Sequence, residues 1–167
     1  NIAYELGRYS NNYSKALELV EKSLAINPNY INAMDTKALI LIQLGKYPEA
    51  IQLYDKILEK EPNFISSIKH KGIALANLGH YQQALLLYDN ALKQFPGDLD
   101  MIANKARILG LELGKYTHAL DLINSYLKKN SNHKELLCNK EEILEDMGDK
   151  YYALKKKKKL IELYSDN

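Results

Sequence analysis

The chain of 167 residues has no tryptophan, one cysteine, two phenylalanines and four prolines. A single cysteine, Cys138, excludes an internal disulfide and fits a reducing compartment, so an intracellular, cytoplasmic location is expected. No apolar run approaches the roughly 20 residues of a membrane-spanning helix, and no secretory signal opens the chain. The first residue is Asn1 rather than methionine, as in a segment of a longer protein whose targeting signals, further repeats or other domains lie elsewhere. Charge of one sign is also scarce: the net charge is +2, and five of the 23 basic residues are the run Lys155 to Lys159. Without that run the chain is slightly acidic, so any argument for a nucleic-acid partner rests on those five lysines alone.

The residues of catalysis and metal binding are equally thin. His70, His80, His118 and His133 fall at four different places and have no metal-ligand spacing with one another or with Cys138. No glycine-rich phosphate loop is present, and Glu141 and Glu142 are adjacent on a helix, so they diverge instead of converging on a substrate. No metal, no cofactor and no enzymatic activity are expected.

What the sequence does contain is a repeat. LGKYPEAIQLYDKILEKEPNF, from Leu44 to Phe64, returns as LGHYQQALLLYDNALKQFPGD from Leu78 to Asp98. Ala16, Ala50, Ala84, Ala119 and Ala153 mark a 34-residue period with one extra residue between Ala84 and Ala119. Tyr13, Tyr47, Tyr81 and Tyr116 stand three residues before the first four alanines. Pro28, Pro62 and Pro96 share the period, and Ser131 takes the fourth place. The extra residue falls in ARILGLELG, where it is expected to alter one first helix or its turn without breaking the array.

Each unit reads as two antiparallel helices. From Ile31 the apolar residues follow helical spacing until Gly45, the residue that most easily adopts the left-handed, helix-ending conformation. Pro48 suits a helix start, and Pro62 closes the second helix. A lone hairpin of this size cannot bury its apolar stripe, so neighbouring hairpins must stack. Small residues, Ala38, Gly72 and Ala106, mark where helices cross.

The 34-residue spacing, the LGxY turn, the alanine three residues after its tyrosine, Tyr54 and Tyr88 four further on, and the closing proline together resemble tetratricopeptide repeats. The resemblance implies an all-α superhelix, a solenoid of stacked antiparallel helix pairs. It divides the chain into a partial first repeat at 1–30, full repeats at 31–64, 65–98 and 99–133, and a degenerate repeat with a capping helix at 134–167. A second LGxY, at Leu6 to Tyr9, leaves the start of the first repeat open. Lys37, Lys71, Lys105 and Lys140 occupy a position where the family usually has a buried leucine. At about 100° per residue, Lys37 lies about 140° around its helix from Asn32, so this ladder points away from the groove face. Its stems are expected to pack between helices with the ammonium groups in water, a lateral binding site being the alternative. The 13 tyrosines mostly hold repeat positions and are expected in the core.

The family binds extended peptides or partner helices on a concave surface lined by first helices. Carried over by register, this groove comprises Asn32, Asp35, Thr36, Leu39 and Gln43, then Ser66, Lys69, His70, Ile73 and Asn77. Asp100, Ala103, Asn104 and Arg107 follow, then Glu135, Cys138, Asn139, Glu142 and Asp146. Leu39 and Ile73 are candidate anchors for an apolar side chain of a peptide, with Asn77, Asn104 and Asn139 holding its backbone; packing of the two aliphatics on each other is the competing reading. The acidic last unit favours a basic segment. A subset of the family clamps the C-terminal carboxylate of chaperones with Lys/Asn and Lys/Arg pairs, but here only Lys69 and Asn104 match, so no binding of such a tail is expected. The leading expectation is a non-enzymatic protein-interaction scaffold or adaptor; the alternative is an array that self-associates into a homo-oligomer or spaces other domains. The five lysines fall in the middle of the last second helix, with Lys157 at the position of Tyr54 and Tyr88. They read as a solubilising cap opposite the acids of the final hairpin, a targeting or nucleic-acid signal being the alternative.

Overall fold

A computed structural model describes the backbone of residues 2–165 and the side chains of residues 13–151. Every element among the described residues is helical: α1 (Ile2–Ile26), α2 (Ile31–Gln43), α3 (Tyr47–Lys60), α4 (Ile65–Asn77), α5 (Tyr81–Gln94), α6 (Leu99–Arg107), a π-helical continuation at Ile108–Glu112, α7 (Tyr116–Leu127) and α8 (Lys134–Ser165). The helices fall into two compact units, Asn1–Gln94 and Phe95–Asn167. Successive helices pack as pairs within each unit, the arrangement of a tetratricopeptide solenoid.

In the first unit each hairpin turn is built by one glycine. At the end of α2, Gly45 takes φ 72°. Its N–H then donates to Ile42 O at 2.9 Å and the Lys46 N–H to Leu41 O at 2.8 Å, a Schellman closure that satisfies the last carbonyls of the helix. Gly79, at φ 77°, repeats both bonds with Ala76 and Leu75. Between pairs a different turn recurs: the N–H groups of Tyr30 and Phe64 reach back to Asn27 O and Glu61 O. Pro28 and Pro62 sit second in those turns, where their fixed φ is already correct. The core of this unit gathers Met34, Ala38 and Leu41 of α2 with Ala50, Tyr54 and Ile57 of α3. Around the next crossing, Tyr88 of α5 lies over Gly72 of α4, and its hydroxyl donates to Lys69 O at 3.0 Å.

The second unit absorbs the extra residue as the π-helical segment Ile108–Glu112. Its closing glycine, Gly114, still has φ 64°, but the bonds are one residue wider: Gly114 N–H donates to Gly110 O and Lys115 N–H to Leu109 O. The insertion is therefore confined to one turn, and α7 pairs with α6 as α3 pairs with α2. Before α6, Asp98 caps the helix by accepting from the Met101 N–H at 2.9 Å, and Asp98 N–H returns to Phe95 O as in the other linkers.

Two turns suggested by the sequence do not form. Helix α1 runs unbroken through Leu6 to Tyr9, and α8 runs unbroken through Gly148, so the last repeat is one long helix and not a hairpin. The cause at Gly148 lies three residues before the periodic alanine Ala153, where Lys150 replaces the tyrosine of the earlier turns. Lys150 Nζ instead donates to Asp146 Oδ2 at 3.0 Å across the glycine and stands 5.4 Å over the Tyr116 ring. Tyr116 Oη donates to the same carboxylate oxygen at 2.8 Å. These bonds hold the Asp146 carboxyl below its ordinary range, the Tyr116 hydrogen bond being the larger cause. The side chains of Lys155 to Lys159, and with them the reading of that run as a cap, lie outside the described residues.

Candidate functional site

The first helices α2 and α4 lie against each other in the first unit, and the groove residues expected from the register occupy one face of each. On α2, Asn32, Thr36 and Gln43 are exposed while Asp35 and Leu39 are half-buried; on α4, Ser66, Lys69, His70 and Ile73 are half-buried and Asn77 is exposed. None of these ten side chains is fully buried, whereas Ala33, Met34, Ala38, Ile40 and Leu41 on the rest of α2 are. Thr36 and Asn77 each return a side-chain hydrogen bond to their own helix, to Asn32 O and Ile73 O, so the Asn77 amide is partly spent there.

A polar cluster joins the two helices. Ser66 Oγ donates to Asp35 Oδ2 at 2.9 Å, and Ser67 Oγ, fully buried, donates to Asp35 Oδ1 at 3.1 Å. Because the single hydroxyl proton of Ser66 is committed to Asp35, the 3.3 Å contact with His70 Nδ1 is made by an Nδ1–H donating to Ser66 Oγ. The order is histidine, serine, aspartate. In a nucleophilic relay the histidine would stand in the middle to take the serine proton. Here the proton points at the carboxylate, so the cluster fixes helix spacing and orients the His70 ring, and Nε2 is the ring atom left to bond a ligand. Tyr54, fully buried, stacks on His70 with ring centroids 6.3 Å apart, and its hydroxyl has no hydrogen-bond partner. Burial, reinforced by the nearby Asp35 charge, pushes the Tyr54 hydroxyl far above its ordinary pKa.

His70 is held below its ordinary pKa of 6.5, chiefly by burial, against the opposing pull of Asp35 and the Ser66 carbonyl. The folded state therefore favours neutral imidazole, and below pH 6.5 the unfolded chain binds a proton that the folded chain binds less readily. Stability contributed this way is intact above that pH and lost as the pH falls. Replacing His70 with Gln is expected to shrink the drop in melting temperature between about pH 7.5 and about pH 5.5. An equal or larger drop in His70→Gln would contradict it.

The second unit places the remaining positions differently. Asp100, Cys138, Glu135 and Glu142 are exposed, Asn104, Arg107 and Asp146 are half-buried, and Arg107 Nη1 stands 3.5 Å from Glu112 Oε1. Ala103 is fully buried, and Asn139 is 6% exposed with its amide donating to Ala103 O at 2.9 Å. Asn139 thus ties α8 to α6, which uses the amide foreseen for a peptide backbone. Off the groove face, Lys37 pairs with Glu21 of α1 at 2.9 Å and Lys71 with Asp55 of α3 at 2.5 Å, each reaching the helix that precedes its own. These are partly exposed ion pairs with packed stems, worth at most about 1 kcal/mol each.

Register alone missed Ser67 and Tyr54 as members of the cluster. The signal was present: Ser67 aligns with Ala33, Met101 and Leu136, all buried, and a polar residue in an otherwise apolar register needs a partner. Among the described residues no group of three or more His, Cys, Asp or Glu is placed to hold a metal, and no helix is long and apolar enough to cross a membrane. Two clefts lie at the linker turns, one bounded by Asn27, Tyr30, Glu61 and Phe64, the other by Leu99 and residues 129–133.

Comparison with known proteins agrees with this geometry. The profile of the Psidin N-terminal TPR repeats region matches residues 9–105. No curated protein matches the chain significantly. Among solved structures, a tetratricopeptide repeat protein from Parabacteroides merdae superposes with TM-score 0.76 at 19% identity over 92% of this chain, which spans 60% of that protein. A thermophilic TPR protein of Thermus thermophilus gives 0.72 at 23% identity, covering 96% of this chain and 85% of the other. MamA from Desulfovibrio magneticus gives 0.68 at 17% identity over 100% and 93% of the two chains. At these identities the structures speak for the fold alone, while the repeat profile covers more than half of the sequence. The chain belongs to the tetratricopeptide repeat family.

Proposed function

We propose that this chain is a non-enzymatic adaptor or scaffold module that binds an extended peptide or a partner helix along the first-helix face of α2 and α4. Tetratricopeptide arrays are protein-interaction repeats, and the carrying observation is the make-up of this face. Two half-buried aliphatics, Leu39 and Ile73, sit at equivalent places on touching helices, surrounded by exposed Asn32, Thr36, Gln43 and Asn77. An apolar anchor of a ligand would bury against Leu39 and Ile73, while the polar rim and the oriented His70 ring supply hydrogen bonds. The Asp35 bridges to Ser66 and Ser67 hold the two helices in place before binding, which lowers the ordering cost on the protein side. In the second unit, exposed Glu135 and Glu142 favour a basic segment.

Replacing both Leu39 and Ile73 with Asp is expected to reduce capture of the physiological partner at least about a hundredfold, with helical circular dichroism unchanged. Undiminished capture by the double variant would sink the assignment of this face.

A further inference from the structure

At the centre of the α2 and α4 face the protein has spent its hydrogen-bond donors on itself. Thr36 gives its hydroxyl proton to Asn32 O, Ser66 and Ser67 give theirs to the two oxygens of Asp35, and the Nδ1–H of His70 turns to Ser66. A hydroxyl has one proton and a neutral imidazole one N–H, so these groups offer a ligand acceptors only. The acceptors are lone pairs on Thr36 Oγ1 and on the Asp35 carboxylate, and the Nε2 atom of His70. The amide donors of Asn32, Gln43 and Asn77 stand about one turn further along their helices.

Charge is unbalanced in the same direction. Asp35 is half-buried, accepts two hydroxyl bonds and forms no ion pair among the described residues. Two hydroxyls fill about half of the lone-pair sites of a carboxylate. On the lateral side, by contrast, Glu21 and Asp55 are matched by Lys37 and Lys71. Lys69 shares the groove face and its charge acts against a second cation, yet it makes no ion pair with Asp35. The apolar anchors are close at hand: Leu39 follows Asp35 by one turn, and Ile73 follows His70 by three residues. A ligand group that completes this centre needs a positive charge, several N–H donors, and an aliphatic stem to lie along Leu39 and Ile73. Arginine and lysine have all three, and the planar fork of arginine suits two acceptors, Asp35 and His70, that flank one serine oxygen.

We infer that the groove of the first unit recognises a basic side chain of the bound segment, its cationic head on Asp35 with His70 Nε2 as a second acceptor, beside an apolar anchor on Leu39 and Ile73. This rests on the assignment of the α2 and α4 face as the binding groove and adds the chemistry of the partner: an apolar residue with an arginine or lysine next to it. The Asp35 bridges to Ser66 and Ser67 thereby serve twice, spacing the helices and aiming the carboxylate.

The test uses peptides selected at neutral pH from a random phage-displayed library on the full chain, kept only if the Leu39→Asp, Ile73→Asp double variant no longer binds them. Arginine or lysine is expected in most of them. By calorimetry, replacing that residue with an uncharged counterpart, citrulline for arginine or norleucine for lysine, is expected to weaken binding to the native chain about tenfold or more. Asp35→Asn should weaken the parent peptide by a similar factor with helical circular dichroism unchanged. The uncharged peptide should then bind the native chain and Asp35→Asn within about twofold of each other, the signature of a direct pair in a double-mutant cycle. Should Asp35→Asn fail to fold, the uncharged peptide on the native chain decides alone. Groove-dependent peptides without a cation, an uncharged peptide as tight as its parent, or equal losses from Asp35→Asn with both peptides would each overturn the inference while leaving the groove in place. A library that yields no peptide sensitive to the double variant would instead remove the groove, and this inference with it.

Discussion

Replacing Gly72 with Ala is expected to destabilise the chain by about 2 to 4 kcal/mol, lowering the melting temperature by roughly 5 to 15 °C. A methyl group at this crossing would meet the phenol of Tyr88, with Cε1 only 2.6 Å from the new Cβ. Tyr88 is fully buried, so the ring has nowhere to go except away from Lys69 O, and the hydroxyl then loses its 3.0 Å bond. The equivalent pair, Ala38 with Tyr54, already carries a methyl at the crossing, and there the tyrosine hydroxyl has no partner. The third pair, Ala106 with Ile123, does without the ring. Coupling follows from this comparison: Tyr88→Ile in the Gly72→Ala background should recover part of the loss, as in the third repeat, and additive losses in a double-mutant cycle would contradict the clash. The two tyrosines should also respond differently to loss of the hydroxyl. Tyr88→Phe is expected to cost about 1 kcal/mol, whereas Tyr54→Phe removes an unsatisfied buried group and should be neutral or stabilising.

The second large effect is expected at Gly110→Ala, about 1 to 3 kcal/mol by urea or thermal unfolding. Gly110 lies in the π-helical segment, and an added Cβ would stand 2.6 Å from Ile143 Cγ1 and 2.7 Å from its Cδ1. Ile143 is fully buried on α8, so relief requires the helices to separate. Ile143→Val removes Cδ1 and keeps Cγ1, so it should relieve the Gly110→Ala variant only in part. If Gly110→Ala were instead as stable as the native chain, the approach of α8 to the π-helical segment would have to be looser than described.

Much of this architecture was legible because a 34-residue period samples the same physical position several times. Gly45 and Gly79 end first helices where the LGxY turn placed them, and the single extra residue before Ala119 emerged as a π-helical turn inside the stretch that contained it. What period alone hid was the departure from it. Lys150 in place of the turn tyrosine, with Asp146 one helical turn earlier, converts an expected hairpin into a continuous helix. Such a switch turns on one i, i+4 pair and one tyrosine on another helix, and sequence periodicity does not weigh these against a glycine. Register also placed Asn32, Thr36, Gln43 and Asn77 on the exposed faces of α2 and α4, because exposure follows helical phase. It did not foresee that the Asn139 amide is consumed by Ala103 O, since hydrogen-bond partners depend on how closely two particular helices approach. The same limit concealed the Asp35 cluster, although Ser67 in an apolar register was its trace.

Binding of a partner on the first-helix face of the first unit can be read by amide hydrogen exchange on the full chain with and without its captured partner. Added protection concentrated in residues 31–43 and 65–77 is the expected result. Protection confined to the second helices α3 and α5, or to α8, would contradict it.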